Sequence, residues 1–214
     1  MKCRENVDYT LYLVTDRDLK YEGVSLIDAV EQAILGGVTL VQLREKKVST
    51  LEYYNIACEV KKITDKYNIP LIIDDRVDVA LAVNASGVHI GQTDLPVKRA
   101  KEILGPDKIL GVSARNLQEA LDAERDGADY LGVGAMFTTS TKADPVYVDI
   151  EELKNITKQV QIPAVAIGGV NENTIDRLKG TDIDGIAVVS AIISRQDIEG
   201  AARGLLEKFN ALKE

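Results

Sequence analysis

The chain has no tryptophan, two phenylalanines, two cysteines, five prolines and a single histidine among its 214 residues. No serine or cysteine elbow is backed by a second histidine, so a triad hydrolase is excluded. Cys3 and Cys58 lack metal-ligand spacing and imply no disulfide framework, which points to a reducing, cytoplasmic compartment. Long apolar runs are missing, and residues 1–8 are charged, so neither a membrane span nor a signal peptide is expected. Positive charge is short as well. With 26 Lys and Arg against 34 Asp and Glu the net charge is −8, and neither nucleic acid nor an anionic membrane is an expected partner.

Short Val/Ile/Leu runs alternate with segments of helical period, the pattern of repeated strand-helix units. Eight strands are expected at 11–14, 38–43, 71–74, 87–90, 109–113, 130–133, 164–167 and 185–189. Helices are expected near 25–35, 50–67, 77–83, 96–104, 117–126, 150–160, 172–179 and 198–212. Ser25 and Asn116 stand where they can cap helices, and Asp94 occupies a similar position before the fourth. Gly36-Gly37, Gly127 and Gly180 close helices. Eight units without a linker predict one α/β domain over residues 1–214, a (β/α)8 TIM barrel of parallel strands. An open doubly wound sheet is disfavoured, because Val14-Thr15-Asp16-Arg17-Asp18 follows the first strand where Gly-x-Gly-x-x-Gly would stand.

In such a barrel, functional groups gather just after the strands. On the second strand, alternation puts Leu40, Gln42, Arg44 and Lys46 on one face and Val41 and Leu43 on the other. No ordinary core would desolvate an amide, a guanidinium and an ammonium together, so that face should point into an open mouth and meet an anion such as phosphate or pyrophosphate. The third strand ends in Asp74-Asp75, and Asp94 follows the fourth. Two carboxylates beside these cations suit a hard divalent cation, Mg2+, that completes its shell from water and a diphosphate. His89, between Val88 and Ile90, reads as a hydrogen-bonded structural histidine rather than a base. Ser113 puts a hydroxyl at the mouth, and a loop from Thr138 to Lys142 offers more hydroxyls and a cation on a flap. Ile167-Gly168-Gly169 and Val188-Val189-Ser190 end the seventh and eighth strands, the usual place of a phosphate cup. Two anion sites imply two phosphorylated substrates, or one phosphorylated at both ends.

Together these motifs resemble the thiamine-phosphate synthase family: Gln42-Leu43-Arg44-Glu45-Lys46, Asp75 with Val77-Asp78-Val79-Ala80, Gly87-Val88-His89-Ile90-Gly91-Gln92-Thr93-Asp94, Gly111-Val112-Ser113-Ala114, the loop ending in Lys142, Ile167-Gly168-Gly169 and Val189-Ser190. The resemblance implies a transferase that joins hydroxymethylpyrimidine diphosphate to thiazole phosphate and releases pyrophosphate with Mg2+. It assigns Gln42 and Ser113 to the pyrimidine, and Arg44, Lys46 and Lys142 to the diphosphate. It makes Asp75 and Asp94 metal ligands, and lines the thiazole phosphate region with Thr139, Thr141, Gly169, Val189 and Ser190. Asp74 departs from the pattern, since the family usually carries Asn there. An ionised Asp cannot donate to a phosphate, so this carboxyl is expected to turn away, take a proton or help hold the metal. Three rivals stand beside this reading. A thiazole tautomerase paralogue would be expected to carry a histidine where Arg115 stands, a non-catalytic phosphate-ligand sensor would need no metal pair, and a Schiff-base aldolase would use Lys46 or Lys142. A homo-oligomer is compatible with the sequence, although no exposed apolar stripe argues for one.

Overall fold

A computed structural model describes residues 7–138 and 147–214. Its eight parallel strands are β1 (Leu11–Val14), β2 (Leu40–Leu43), β3 (Leu71–Asp74), β4 (Gly87–Ile90), β5 (Ile109–Ala114), β6 (Tyr130–Val133), β7 (Ala164–Ile167) and β8 (Gly185–Val188). They pair in chain order and close, with Tyr12 of β1 opposite both Leu40 of β2 and Ala187 of β8. The helices are α1 (Leu26–Leu35), α2 (Thr50–Lys66), α3 (Val77–Ala82), α4 (Val97–Leu104), α5 (Leu117–Arg125), α6 (Ile150–Gln159), α7 (Ser190–Ile193) and α8 (Ile198–Lys213).

Strand alternation divides the apolar residues into two cores. Leu11, Leu13, Val41, Leu43, Ile73 and Val88 point outward and pack beneath the helices. Tyr12, Val14, Leu40, Ile72, Ile109, Tyr130 and Val165 fill the barrel interior. Each fully buried Leu or Ile in these layers contributes roughly 1.5–3 kcal/mol relative to exposure. The expected face of β2 is the observed one, with Leu40 inside and Gln42 above it near the carboxyl end.

Ser25 caps α1 by accepting from the Asp28 N–H, and Asn116 caps α5 by accepting from that of Glu119. Gly37, Gly127 and Gly180 have φ of 103°, 106° and 74°, as helix-closing glycines should. Asp94 does not cap α4. That place belongs to Pro96, which makes no side-chain cap, and Asp94 Oδ2 instead accepts from the Gly91 N–H at 2.7 Å inside the preceding turn. The helix expected at 172–179 shrinks to a 3-10 turn, Ile175–Leu178, because Asn171 and Thr174 tie the chain back onto the Gly169 carbonyl at 3.0 and 2.9 Å. The short α7 was not expected. β2 begins at Leu40, since Val38 is still bonded to the end of α1 through the Ala33 carbonyl.

Candidate active site

The carboxyl ends of the strands surround a cavity of about 750 Å³, within the range of small-molecule sites. Gln42, Arg44, Lys46, Asp74, Asp75 and Asp94 line one side of it. Gly169, Val189 and Ser190 line the other, and Ser113 opens into the same space. Thr139, Thr141 and Lys142, with the flap they were expected to form, lie outside the described residues.

The first side is a charge cluster. Lys46 Nζ sits 2.8 Å from Asp74 Oδ2 and in direct contact with Asp75, while Arg44 Nε stands 3.9 Å from Asp74 Oδ2. The approach of Lys46 to Asp74 is an ion pair whose angle makes no well-formed hydrogen bond. Asp74 therefore does not turn away. It is buried, and burial pushes its carboxyl up to about 6; Lys46 opposes that rise and the Asp75 charge adds to it. Burial works to lower the Lys46 ammonium, but Asp74 and Asp75 outweigh it and hold the group above its ordinary value. Arg44 is aimed from the turn after β1, where Asp16 Oδ2 accepts from its Nη1 at 3.1 Å and Thr15 Oγ1 from its backbone N–H at 3.1 Å. The run after β1 held no signal for this, because Asp16 reads as a solvated turn residue until the barrel closes.

Asp75 has φ 59°, a left-handed conformation that aspartate and asparagine adopt more readily than other side-chain-bearing residues. The Asp75 N–H, donating to the His89 carbonyl at 2.8 Å, helps hold it there. Burial raises the Asp94 carboxyl and the Gly91 N–H lowers it, with the facing Asp75 carboxyl adding a further rise through charge and a shared hydrogen bond. Two carboxyls meeting in this way fit a hard divalent cation, which would relieve their repulsion. Among the described residues no group of three or more His, Cys, Asp or Glu side chains gathers for a metal. The pair accordingly suits a cation that takes most of its oxygens from elsewhere.

Among the described residues, the second side carries one cation at its strand ends, Arg195, which bonds Glu172 at 2.5 Å. A helix dipole adds little to this expected phosphate cup, since β8 leads only into the four residues of α7. Gly169 has φ 68°, and a Cβ on it would stand 2.5 Å from the Thr138 carbonyl oxygen. Only glycine fits this rim, where β7 meets the chain leaving β6.

The floor is a chain of hydrogen bonds. Gln42 Nε2 donates to the Tyr12 hydroxyl at 2.7 Å, Tyr12 meets Tyr130 at 2.7 Å, Tyr130 meets His89 Nδ1 at 3.0 Å, and His89 Nε2 meets Ser113 Oγ at 3.0 Å. His89 is the structural histidine expected, and it also lines the cavity. Burial pushes its imidazole down to about 4, so it is neutral near pH 7. Tyr12 and Tyr130 escaped the sequence reading because inward aromatics of a barrel look like any other core residue.

The sequence model described as thiamine monophosphate synthase matches residues 11–192. A thiamine-phosphate synthase from Clostridium tetani is 60% identical over 206 residues, covering 96% of this chain and 98% of that protein. One from Methanobrevibacter smithii is 50% identical with the same coverage. Among solved structures, the thiamine phosphate pyrophosphorylase from Pyrococcus furiosus superposes with a TM-score of 0.87 at 40% identity, over 97% of this chain and 98% of that one. The chain belongs to the thiamine-phosphate synthase family.

Proposed function

We propose that this transferase condenses hydroxymethylpyrimidine diphosphate with thiazole phosphate, giving thiamine phosphate and pyrophosphate, with Mg2+ held by Asp75 and Asp94. The observation that carries the reading is one cavity with two unlike poles: Arg44, Lys46, Asp75 and Asp94 on one rim, Gly169, Val189 and Ser190 on the other. A diphosphate needs the first and a monophosphate the second. The names of the relatives support the same product, thiamine phosphate.

In this reading the protein needs no nucleophile of its own. The C–O bond to the diphosphate breaks, the electron pair leaves with pyrophosphate, and the thiazole nitrogen supplies the pair for the new C–N bond. Bound Mg2+ would neutralise charge on the leaving group. Arg44, oriented by Asp16 and Thr15, and Lys46, set against Asp74, are the chain's own cations for that charge. Gln42 and Ser113 fix the pyrimidine, and the opposite rim fixes the thiazole phosphate, so that the reacting atoms meet in line. Both substrates are phosphorylated metabolites, which supports a reaction in the cytoplasm. The test is turnover: the purified chain, both substrates and Mg2+ are mixed, the product is oxidised, and thiochrome fluorescence is read. Magnesium-dependent fluorescence is expected, and its absence with both substrates bound would refute the assignment.

A further inference from the structure

The hydrogen-bond chain under the cavity joins the two groups assigned to the pyrimidine, Gln42 and Ser113, by a route of three residues that have no assigned role: Tyr12, Tyr130 and His89. Room for it is cut into the barrel. A Cβ on Gly111 would stand 2.2 Å from the Tyr130 ring, and one on Gly132 would stand 3.1 Å from His89 Cε1. The rings pack close, with the Tyr130 centroid 4.9 Å from that of Tyr9 and 5.5 Å from that of His89 in tilted contacts, and 5.9 Å from that of Tyr12 edge-on.

Each middle member has one proton to give along the chain, since a tyrosine carries one O–H and a neutral imidazole one N–H. Tyr12 and Tyr130 are buried, where an O–H left without an acceptor is costly, so fixing the first link fixes every other. Gln42 donates through Nε2 to Tyr12, so Tyr12 donates to Tyr130 and Tyr130 donates to His89 Nδ1. His89 then carries its proton on Nε2 and donates it to Ser113 Oγ, which leaves the Ser113 proton for the cavity. At the other end the Gln42 carbonyl remains to accept. Were the Gln42 amide turned over, every link would reverse and both ends would change character together.

We propose that Tyr12, Tyr130 and His89 are positioning residues that lock the His89 ring as the Nε2–H tautomer, so that Ser113 is presented as a donor and Gln42 as an acceptor to one heteroaromatic edge. An aminopyrimidine carries a matching acceptor nitrogen and donor amino group side by side. The ligand class rests on the condensation proposed above, whereas the tautomer does not.

His89 is the only histidine in the chain, which makes the tautomer directly readable. The ligand-free 15N-labelled protein at neutral pH should show a protonated Nε2 and a bare Nδ1 in long-range 1H–15N correlation spectra. Tyr130→Phe removes the donor to Nδ1, and a mixed or reversed tautomer is expected while Ser113→Ala leaves it unchanged. In turnover, Tyr130→Phe should raise KM for the pyrimidine diphosphate by about tenfold and leave KM for thiazole phosphate unaltered. Tyr12→Phe, one link further back, should repeat the pattern and serves if Tyr130→Phe does not fold. A protonated Nδ1 in the unaltered protein would overturn the proposal, as would equal changes in both KM values or none. Because the tautomer is read without substrate, loss of the condensation reading would show in the turnover arm alone.

Discussion

Replacing Asp74 with Asn should make the protein more stable above pH 6 and leave it unchanged near pH 4. Asp74 is 7% exposed, and its carboxyl lies at about 6 rather than 3.8, a rise that already includes the attraction of Lys46. Two units of raised pKa correspond to about 3 kcal/mol. The sign follows from proton binding. Between pH 4 and 6 the folded protein holds a proton on Asp74 that the unfolded chain has lost, so rising pH favours unfolding. His89 works the other way, because its folded value of about 4 lies below the ordinary 6.5 and the unfolded chain binds the extra proton. In the unaltered protein the two slopes largely cancel across this window. In Asp74→Asn the aspartate slope is gone, and the advantage of the variant over the unaltered protein should grow by roughly 3 kcal/mol from pH 4 to 6.5. Urea unfolding followed by circular dichroism, with chelator present and at half-unit pH steps, measures this directly. An advantage for Asn that is flat with pH, or a less stable variant at pH 7, would refute the reasoning. Turnover should hold or rise, since an amide can donate to the diphosphate where an ionised carboxylate repels it; a hundredfold loss would give the carboxylate a positive role.

Asp75→Ala and Asp94→Ala should each collapse turnover and raise the Mg2+ concentration needed for half-activation, as read by titrating metal into the thiochrome assay. Near-normal rates would undo the metal assignment. Lys46→Ala should lower kcat on the order of 10²-fold, the scale of losing one preorganised charge partner of a leaving group, and a change confined to KM would move Lys46 to substrate binding alone. Gly169→Ala should destabilise the fold by roughly 1–3 kcal/mol in urea unfolding, because the new Cβ meets the Thr138 carbonyl at 2.5 Å in a left-handed backbone. It should also weaken thiazole phosphate binding more than pyrimidine diphosphate binding in calorimetry.

The barrel was legible because each layer imposes its own period on the chain. Outward Leu and Val alternate with inward Tyr, Gln and Asp, and the punctuation of Ser25, Asn116 and the glycines at 37 and 127 marks where helices begin and end. What lay after the strands was legible by residue type, so Arg44, Lys46, Asp75 and Asp94 could be placed around one mouth before any coordinates. Their couplings were not legible, because they are made across the barrel. Asp16 reaches Arg44 from 28 positions away, and Tyr12 meets Tyr130 from 118. Local tertiary bonds also overrode local pattern. Asp94 looked like a cap and became the lock of its own turn, and the helical period at 172–179 yielded to the grip of Asn171 and Thr174 on Gly169.

The central claim is that one mouth holds a metal-bound diphosphate on the Asp75 side and a monophosphate on the Gly169 side. Co-crystals grown with Mn2+ in place of Mg2+, pyrophosphate and thiamine phosphate test it most directly, through the anomalous signal of the metal. The account predicts a metal peak contacted by Asp75 and Asp94, pyrophosphate against Arg44 and Lys46, and the phosphate of thiamine phosphate beside Gly169, Val189 and Ser190. A metal bound away from both carboxylates, or both phosphate groups gathered at one rim, would contradict it.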